Sequence, residues 1–593
     1  MKEAYKVLPH RSGDARLVAD RHTNTLFLIT KFSSREEVER RREELRFNLQ
    51  MAAGLYPWPE KTPLHAKYEH VGDYEGYSIK KVMFESRPGF WSTGNLYLPR
   101  PMKEKAPAIL NVIGHWHPQR LTRNDEADYP QQLANFARMG FICLATDMIG
   151  MVDSLQISHN YGSNEKELWQ SNGLGVQLWN NIRALDLLCS MPEVDAERIG
   201  MTGASGGGSQ TLFLSLIDDR IKAAAPINMI SLQMQGGCYC ENCAGLRRST
   251  DNGEMCAMLA PRPLFLAGST GDWTKDQETV EYPAMLEAYR HYDAEKMVEH
   301  YYQVADHQYN HKTRHRVYSF FARHLLGSDP GWVEQPIEVE DLQALTWFRG
   351  EGHAPGFGSD GEFFEAFKQE RSERVALLPV EEKRTMLAWA TGIGDEKPVM
   401  ADGDFVDADG VTIEKNIVTA TRGQQIPFVR LIPADWDGRR VCLALGDGKD
   451  CVENEAVRRK LEEGVAVVSG DLFLTGEMAG EEKQIAGDEV AQRHFTTFHY
   501  TTDAYRVQDV ALLWKAATEG AEECTLWAEK TAARAAACAL PLLNNIKKAE
   551  LEKAALELSG DEAYYQEFFV PGILLLGGFE GCMKMAGCEV DLF

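Results

Sequence analysis

The chain has 593 residues, 44% of them hydrophobic and 25% charged, with a net charge of −25. That length exceeds one ordinary core, so two or more domains are expected, and the acidic balance argues against a nucleic-acid groove or an anionic membrane surface. Twelve cysteines over such a length read as reduced thiols, not as a disulfide scaffold.

Residues 1–13 are polar without an apolar signal core, and the longest apolar runs, such as 573–576, are too short for a bilayer, which predicts a cytoplasmic enzyme. Residues 34–53, rich in Glu, Arg and Leu at helical spacing and stopped by Gly54, predict a helix. Short strands follow at 79–84 and 94–98 around a Pro88-Gly89 turn. Strands at 108–113 and 141–145 stop at Gly114 and Asp147, with helical patterns at 129–139 and 175–189. Beyond a strand, tight turn and apolar helix over 198–216 come strands at 223–227 and 264–267, a helix at 282–289, a strand at 298–304 and a helix ending near Leu326. Buried strands alternating with helices predict an α/β fold, a mainly parallel, doubly wound sheet whose chemistry gathers at the carboxyl ends of its strands.

Gly203, Ser205 and Gly207 fit the nucleophile-elbow spacing. A serine held in a strained corner needs small residues two positions to either side, because strand and helix nearly touch there. Ser205 also opens a helix, whose free N–H groups favour developing negative charge. A serine nucleophile needs a base and the base needs a carboxylate, in this fold in the chain order serine, acid, histidine. Asp272 follows the 264–267 strand and His307 follows the strand ending at Val304. Asp276 is a rival acid or a helix cap, and His311 and His315 are rival bases on the last helix.

The oxyanion hole falls to the N–H groups of Gly206 and Trp116, the latter in the loop Gly114-His115-Trp116-His117. A metal on His115 and His117 lacks an evident third ligand. Cys238, Cys240 and Cys243, with Cys256 downstream, are too crowded for the two spaced pairs of a zinc site, so no metal and no cofactor are expected. His115, His117, Glu241 and Arg247 are the candidate substrate contacts.

With these residues in place, the stretch 41–327 resembles the acetyl xylan esterase-like α/β-hydrolases related to dienelactone hydrolases. Leu55, Pro57, Pro59, Lys61 to Leu64, Phe84 to Ser86, Pro88, Gly89, Asn95 to Tyr97, Pro99, Gly114, His115, the elbow, Gly271 to Thr274, Asp306, His307, Tyr309 and Asn310 carry the likeness. The resemblance implies Ser205 as nucleophile, His307 as base and Asp272 as acid, with an acetylated sugar or short oligosaccharide as substrate. Glucuronoyl esterases, a neighbouring group, have arginine after the nucleophile; Gly206 stands there, which disfavours a uronic-acid ester.

After a linker at 328–336 the pattern repeats. Ile79 and Pro99 bracket two strands at the same spacing as Ile413 and Pro433; the strand ending at Gly114 is echoed at 441–446, the 140–147 step at 464–471, and Arg183 and Asp186 by Arg506 and Asp509. Residues 261–272 match 571–582, which puts Cys582 in the acid position. The elbow position reads Trp527 to Ala532, without serine or glycine. These spacings predict tandem α/β-hydrolase domains, a catalytic one at 1–330 with an N-terminal helical extension and a degenerate, non-catalytic copy at 337–593 that covers the first, shapes its pocket or builds an oligomer. The expected activity is ester hydrolysis through an acyl-enzyme on a small-molecule or oligosaccharide ester, with no nucleic-acid or membrane partner. A peptidase or lactone hydrolase, and a binding protein with a lapsed triad, are the alternatives.

Overall fold

The computed structural model describes residues 3–8, 12–27, 29–102, 104–329, 331–339, 341–400, 403–408 and 410–593, so parts of the 1–13 segment and residue 330 of the linker lie outside the described residues. In chain order the first half supplies β1 (Lys67–Tyr74), β2 (Tyr77–Arg87), β3 (Phe90–Pro99), β4 (Ala106–Val112), β5 (Ile142–Thr146), β6 (Val194–Ala204), β7 (Ile221–Ile227), β8 (Leu264–Ser269) and β9 (Val298–Gln303). They form one sheet in the order β9-β8-β7-β6-β4-β5-β3-β2-β1. Its first strands run antiparallel and those from β4 onward parallel to one another. Every residue of β4 and β5 is buried, as expected of strands covered by helices on both faces. The predicted strands all appear; β1 was not predicted, because this polar edge strand has no apolar alternation to mark it.

Helix α1 (Arg35–Ala52) starts where the Ser34 hydroxyl accepts the Glu37 N–H and the Glu37 carboxylate in turn accepts the Ser33 N–H. It stops at Gly54, at φ +68°. Leu45 and Leu49 face the core, and the C-terminal end packs backbone to backbone on α2 (Gly173–Ser190): a Cβ on Gly175 would lie 1.8 Å from the Ala53 carbonyl oxygen.

The second half builds β10 (Val399–Met400), β11 (Asp404–Ala408), β12 (Val411–Thr419), β13 (Gln425–Pro433), β14 (Arg440–Leu445), β15 (Ala466–Gly470), β16 (Glu523–Ala528), β17 (Ile546–Leu551) and β18 (Glu589–Leu592). The path is β10-β12-β13-β15-β14-β16-β17-β18, with β11 on β12. From β12 to β18 the succession is that of β2 to β8, including the crossover of β4 and β5. A buried ion cluster repeats with it: Arg120 pairs with Asp147 and Asp153 after β5, and Lys449 with Asp471 and Glu477 after β15.

One expectation is corrected. Residues 571–582 do not form the counterpart of β8: Leu574–Leu576 is a 3₁₀ turn and Gly578–Met585 a helix, and the counterpart is β18, so Cys582 is not in the acid position. Segments beyond residue 337 also pack on the first half. Ile337, Val339 and Leu345 pack with Tyr77, Tyr97 and Phe321, and Phe363 and Phe367 of the helix Asp360–Ala376 pack with Phe90 and Tyr161. Conversely the N-terminal arm lies on the second sheet. Tyr5 packs with Val429 and Trp527, Arg16 pairs with Asp509 at 2.5 Å, and Val18–Ala19 pairs in parallel with Gln484–Ile485. Among the described residues no helix is long and apolar enough to cross a membrane.

Candidate active site

Ser205 follows β6 directly and opens helix α3 (Gly206–Ile217) at φ 58°, ψ −125°, a conformation that an L side chain adopts only under constraint. The constraint is visible on both sides. A Cβ on Gly203 would stand 2.4 Å from the Val112 carbonyl oxygen and 2.7 Å from that of Gly207, and one on Gly207 would stand 2.4 Å from the same Val112 oxygen. The two glycines are therefore what lets strand, helix and β4 meet at one corner. The Ser205 N–H bonds the Ile227 carbonyl at 3.1 Å, which ties the corner to β7.

Asp272 and His307 converge because β8 and β9 pair in unbroken parallel register, Leu264 against Val298 through Ser269 against Gln303. Both loops leave the same edge, and the Thr270 and Gly271 N–H groups bond the Gln303 and Ala305 carbonyls at 3.0 and 2.9 Å. His307 Nδ1 lies 2.9 Å from Asp272 Oδ2; the aspartate side chain is 1% exposed and the imidazole 24%. Asn228, at φ 49° just after β7, donates to the same Oδ2 at 2.7 Å, and the Thr274 N–H donates to Oδ1 at 2.7 Å. Burial alone would raise the Asp272 carboxyl, but the hydrogen bonds from His307, Thr274 and Asn228 outweigh it and hold the group below the usual aspartate range. The imidazole is flanked by the rings of Trp116, stacked at 5.2 Å, and Trp273 at 4.3 Å. Its Nε2 is buried and has no hydrogen-bond partner among the described residues.

The loop after β4 crosses the elbow. A Cβ on Gly114 would sit 2.5 Å from the Ala204 carbonyl oxygen, and one on Gly206 would sit 2.4 Å from Cε1 of His115. The space that a side chain after the nucleophile would fill is thus taken by the His115 imidazole. The Gly206 N–H is the first of the helix and has no partner within it.

The remaining candidates separate. Asp276 accepts from Gln233, and His311 and His315 lie together on the helix His311–Phe321. His117 is exposed. Glu241 and Arg247, expected to meet substrate, are 4% and 0% exposed and hold the loop instead. Glu241 accepts from Ser209 at 2.8 Å and from the Gly237 N–H; Arg247 donates to Asn242, Asn252 and the Glu241 carbonyl. The loop thiols Cys238 and Cys240, expected reduced, are joined as a disulfide across the single residue Tyr239, with their Cα atoms 5.5 Å apart. Around them lies a group the sequence did not assemble. His115 Nε2, His159 Nε2, Cys238 Sγ and Cys240 Sγ all fall within 4.8 Å of one another. Asn228, Trp273 and His159 were missed. Asn228 was the findable one, as a polar residue at the end of a predicted strand.

The chain is similar to several known proteins. Residues 61–230 match the family model described as acetyl xylan esterase (AXE1). An uncharacterized protein of Pseudomonas aeruginosa is 29% identical over 176 residues, 30% of this chain and 41% of that one, so less than half of that relative is spanned. YtaP of Bacillus subtilis, a protein named as a hydrolase, is 26% identical over 235 residues, 35% of this chain and 75% of that one. Among solved structures, the methylesterase BT1017 is 27% identical with a TM-score of 0.50, over 58% of this chain and 78% of that one. The sheet order and the elbow are those of an α/β-hydrolase, and residues 61–230 are similar to the acetyl xylan esterase family.

Proposed function

We propose that the chain is a serine ester hydrolase acting on esterified sugars or short oligosaccharides, with Ser205, His307 and Asp272 as its triad. The observation that carries the reading is the pairing of His307 Nδ1 with a buried, multiply bonded Asp272, which fixes the tautomer and leaves Nε2 as the acceptor for the serine proton. Ser205 Oγ attacks the ester carbonyl while Nε2 takes its proton. The oxyanion forms against the Gly206 N–H, with Trp116 N–H as second donor, and protonated His307 passes the proton to the leaving alcohol. A water then loses its proton to His307, attacks the acyl carbonyl and frees the serine. The likeness to a methylesterase favours a second arm, in which methanol is the leaving alcohol.

The test is a panel of acetylated sugars and of methyl esters, read by acetate and methanol release, with wild type and Ser205→Ala. Release by wild type and its loss in Ser205→Ala, by about six orders of magnitude in kcat or to the detection limit, is expected. A fluorophosphonate that fails to label folded wild type, or equal turnover by both proteins, would overturn the reading. Cleavage of peptides in place of esters would redirect it to a peptidase.

A further inference from the structure

The four side chains gathered over Gly206 have ligand character of a specific kind. His115 Nε2 is 3.1 Å from His159 Nε2, 3.3 Å from Cys240 Sγ and 3.6 Å from Cys238 Sγ. Around a tetrahedral zinc ion, with bonds of about 2.0 Å to nitrogen and 2.3 Å to sulfur, ligand atoms stand about 3.3–3.8 Å apart. The histidine-centred separations already fall in or near that range. His159 is oriented from behind, its Nδ1 against the Ile149 carbonyl at 3.0 Å, so that Nε2 faces the cluster, an arrangement habitual in metal-bound imidazoles. Glu241 braces the cysteine turn from the far side, accepting from the Gly237 N–H and contacting Cys238 Sγ at 3.3 Å.

We propose that His115, His159, Cys238 and Cys240 form a four-coordinate site for a thiophilic divalent cation, zinc in the first instance, occupied when the two cysteines are in the dithiol form. The disulfide form is the empty, oxidised state. A low-molecular-weight thiol supplies two electrons and two protons, leaving as its own disulfide, and the Cys238–Cys240 bond opens to two thiols. Metal binding then displaces those two protons to solvent and forms two Zn–S bonds. Four protein ligands close the coordination sphere, so the ion positions and does not react. It locks the His115 ring, which lies against the Gly206 backbone, and with it the loop that carries Trp116. The site therefore couples thiol redox state to the order of the oxyanion hole; this last step rests on the esterase reading, whereas metal binding does not.

The test uses the full chain, reduced with a phosphine and freed of excess reductant. Zinc content after gel filtration should reach one equivalent per chain, and cobalt(II) in its place should give the intense visible bands of a tetrahedral site with sulfur-to-metal charge transfer. Adding a diazene dithiol oxidant should release the ion stoichiometrically: the two thiolates form the disulfide and the diazene takes up two electrons and two protons. Cys238→Ser/Cys240→Ser should lose the charge-transfer band, and His159→Gln should shift the cobalt spectrum, both with unchanged far-ultraviolet circular dichroism. Reduced protein with both thiols titratable that binds no zinc or cobalt, or bound metal that survives the oxidant, would overturn the proposal. Because the wild-type oxidation arm needs no substitution, misfolding of a variant leaves the answer intact. The metal readouts stand even if no ester is turned over.

Discussion

Asp272 is held by three neighbours at once, and each acts on the charged form. The Asn228 amide, the Thr274 N–H and His307 offset the cost of burying the carboxylate and keep its pKa below the ordinary value. The sign of the linkage follows. A carboxyl depressed in the folded state contributes stability that is complete above its unfolded pKa, about 4, and is lost as pH falls through the folded value. Under the proposed esterase mechanism, Asp272→Asn should reduce kcat by about four orders of magnitude, because the amide no longer fixes the imidazole tautomer. Its deficit in thermal midpoint should shrink as pH falls below about 4, where wild type also loses the charge. A pH-independent deficit would mean that the carboxylate is not what holds the two loops. The placement of Ser205 at the strand-to-helix corner and of Asp272 and His307 in adjoining loops was legible, because chain order and strand ends constrain it. His159 was not: 44 residues separate it from His115, and only the folded loops bring them together.

At the scale of elements, the elbow shows which part of a motif is backbone and which is chemistry. In the second half β16 ends at Ala528 and Lys530 opens the next helix at φ 53°, close to the 58° of Ser205. This second strand-to-helix corner keeps a positive φ with no glycine in it. In the first half the glycines answer to the neighbouring backbone instead. Gly203→Ala should cost about 1–3 kcal/mol by overpacking against Val112 and Gly207, and it should abolish fluorophosphonate labelling of Ser205 even where the protein stays folded. Full labelling of this variant would show that the corner tolerates a shift. The repeat was readable in strands, turns and spacings, since hydrophobic runs and glycines record the sheet. It failed at 571–582, where an apolar run interrupted by glycines reads equally as strand or as helix.

The whole molecule is laced. Residues 337–345 and the helix Asp360–Ala376 close the first core, while the arm through Tyr5, Leu8 and Arg16 closes the second. Composition hid this, because a buried arginine beside two aspartates reads in sequence as surface polarity. Arg16 lies 2.7 Å from Asp14 and 2.5 Å from Asp509, with both carboxylates fully buried. Arg16→Ala would strand Asp509 without its cation and should destabilise the second half by about 3–5 kcal/mol. Limited proteolysis should then cut the arm ahead of α1 before any site in the first sheet; unchanged cleavage kinetics would show the arm to be dispensable. The lacing also sets an order of assembly during synthesis. Arg16 leaves the ribosome 493 residues before Asp509 does. At about 5–20 residues per second it waits about 25–100 s for its partner. Throughout that interval the first sheet can fold, while Arg16 waits undocked until the helix that carries Asp509 has been made.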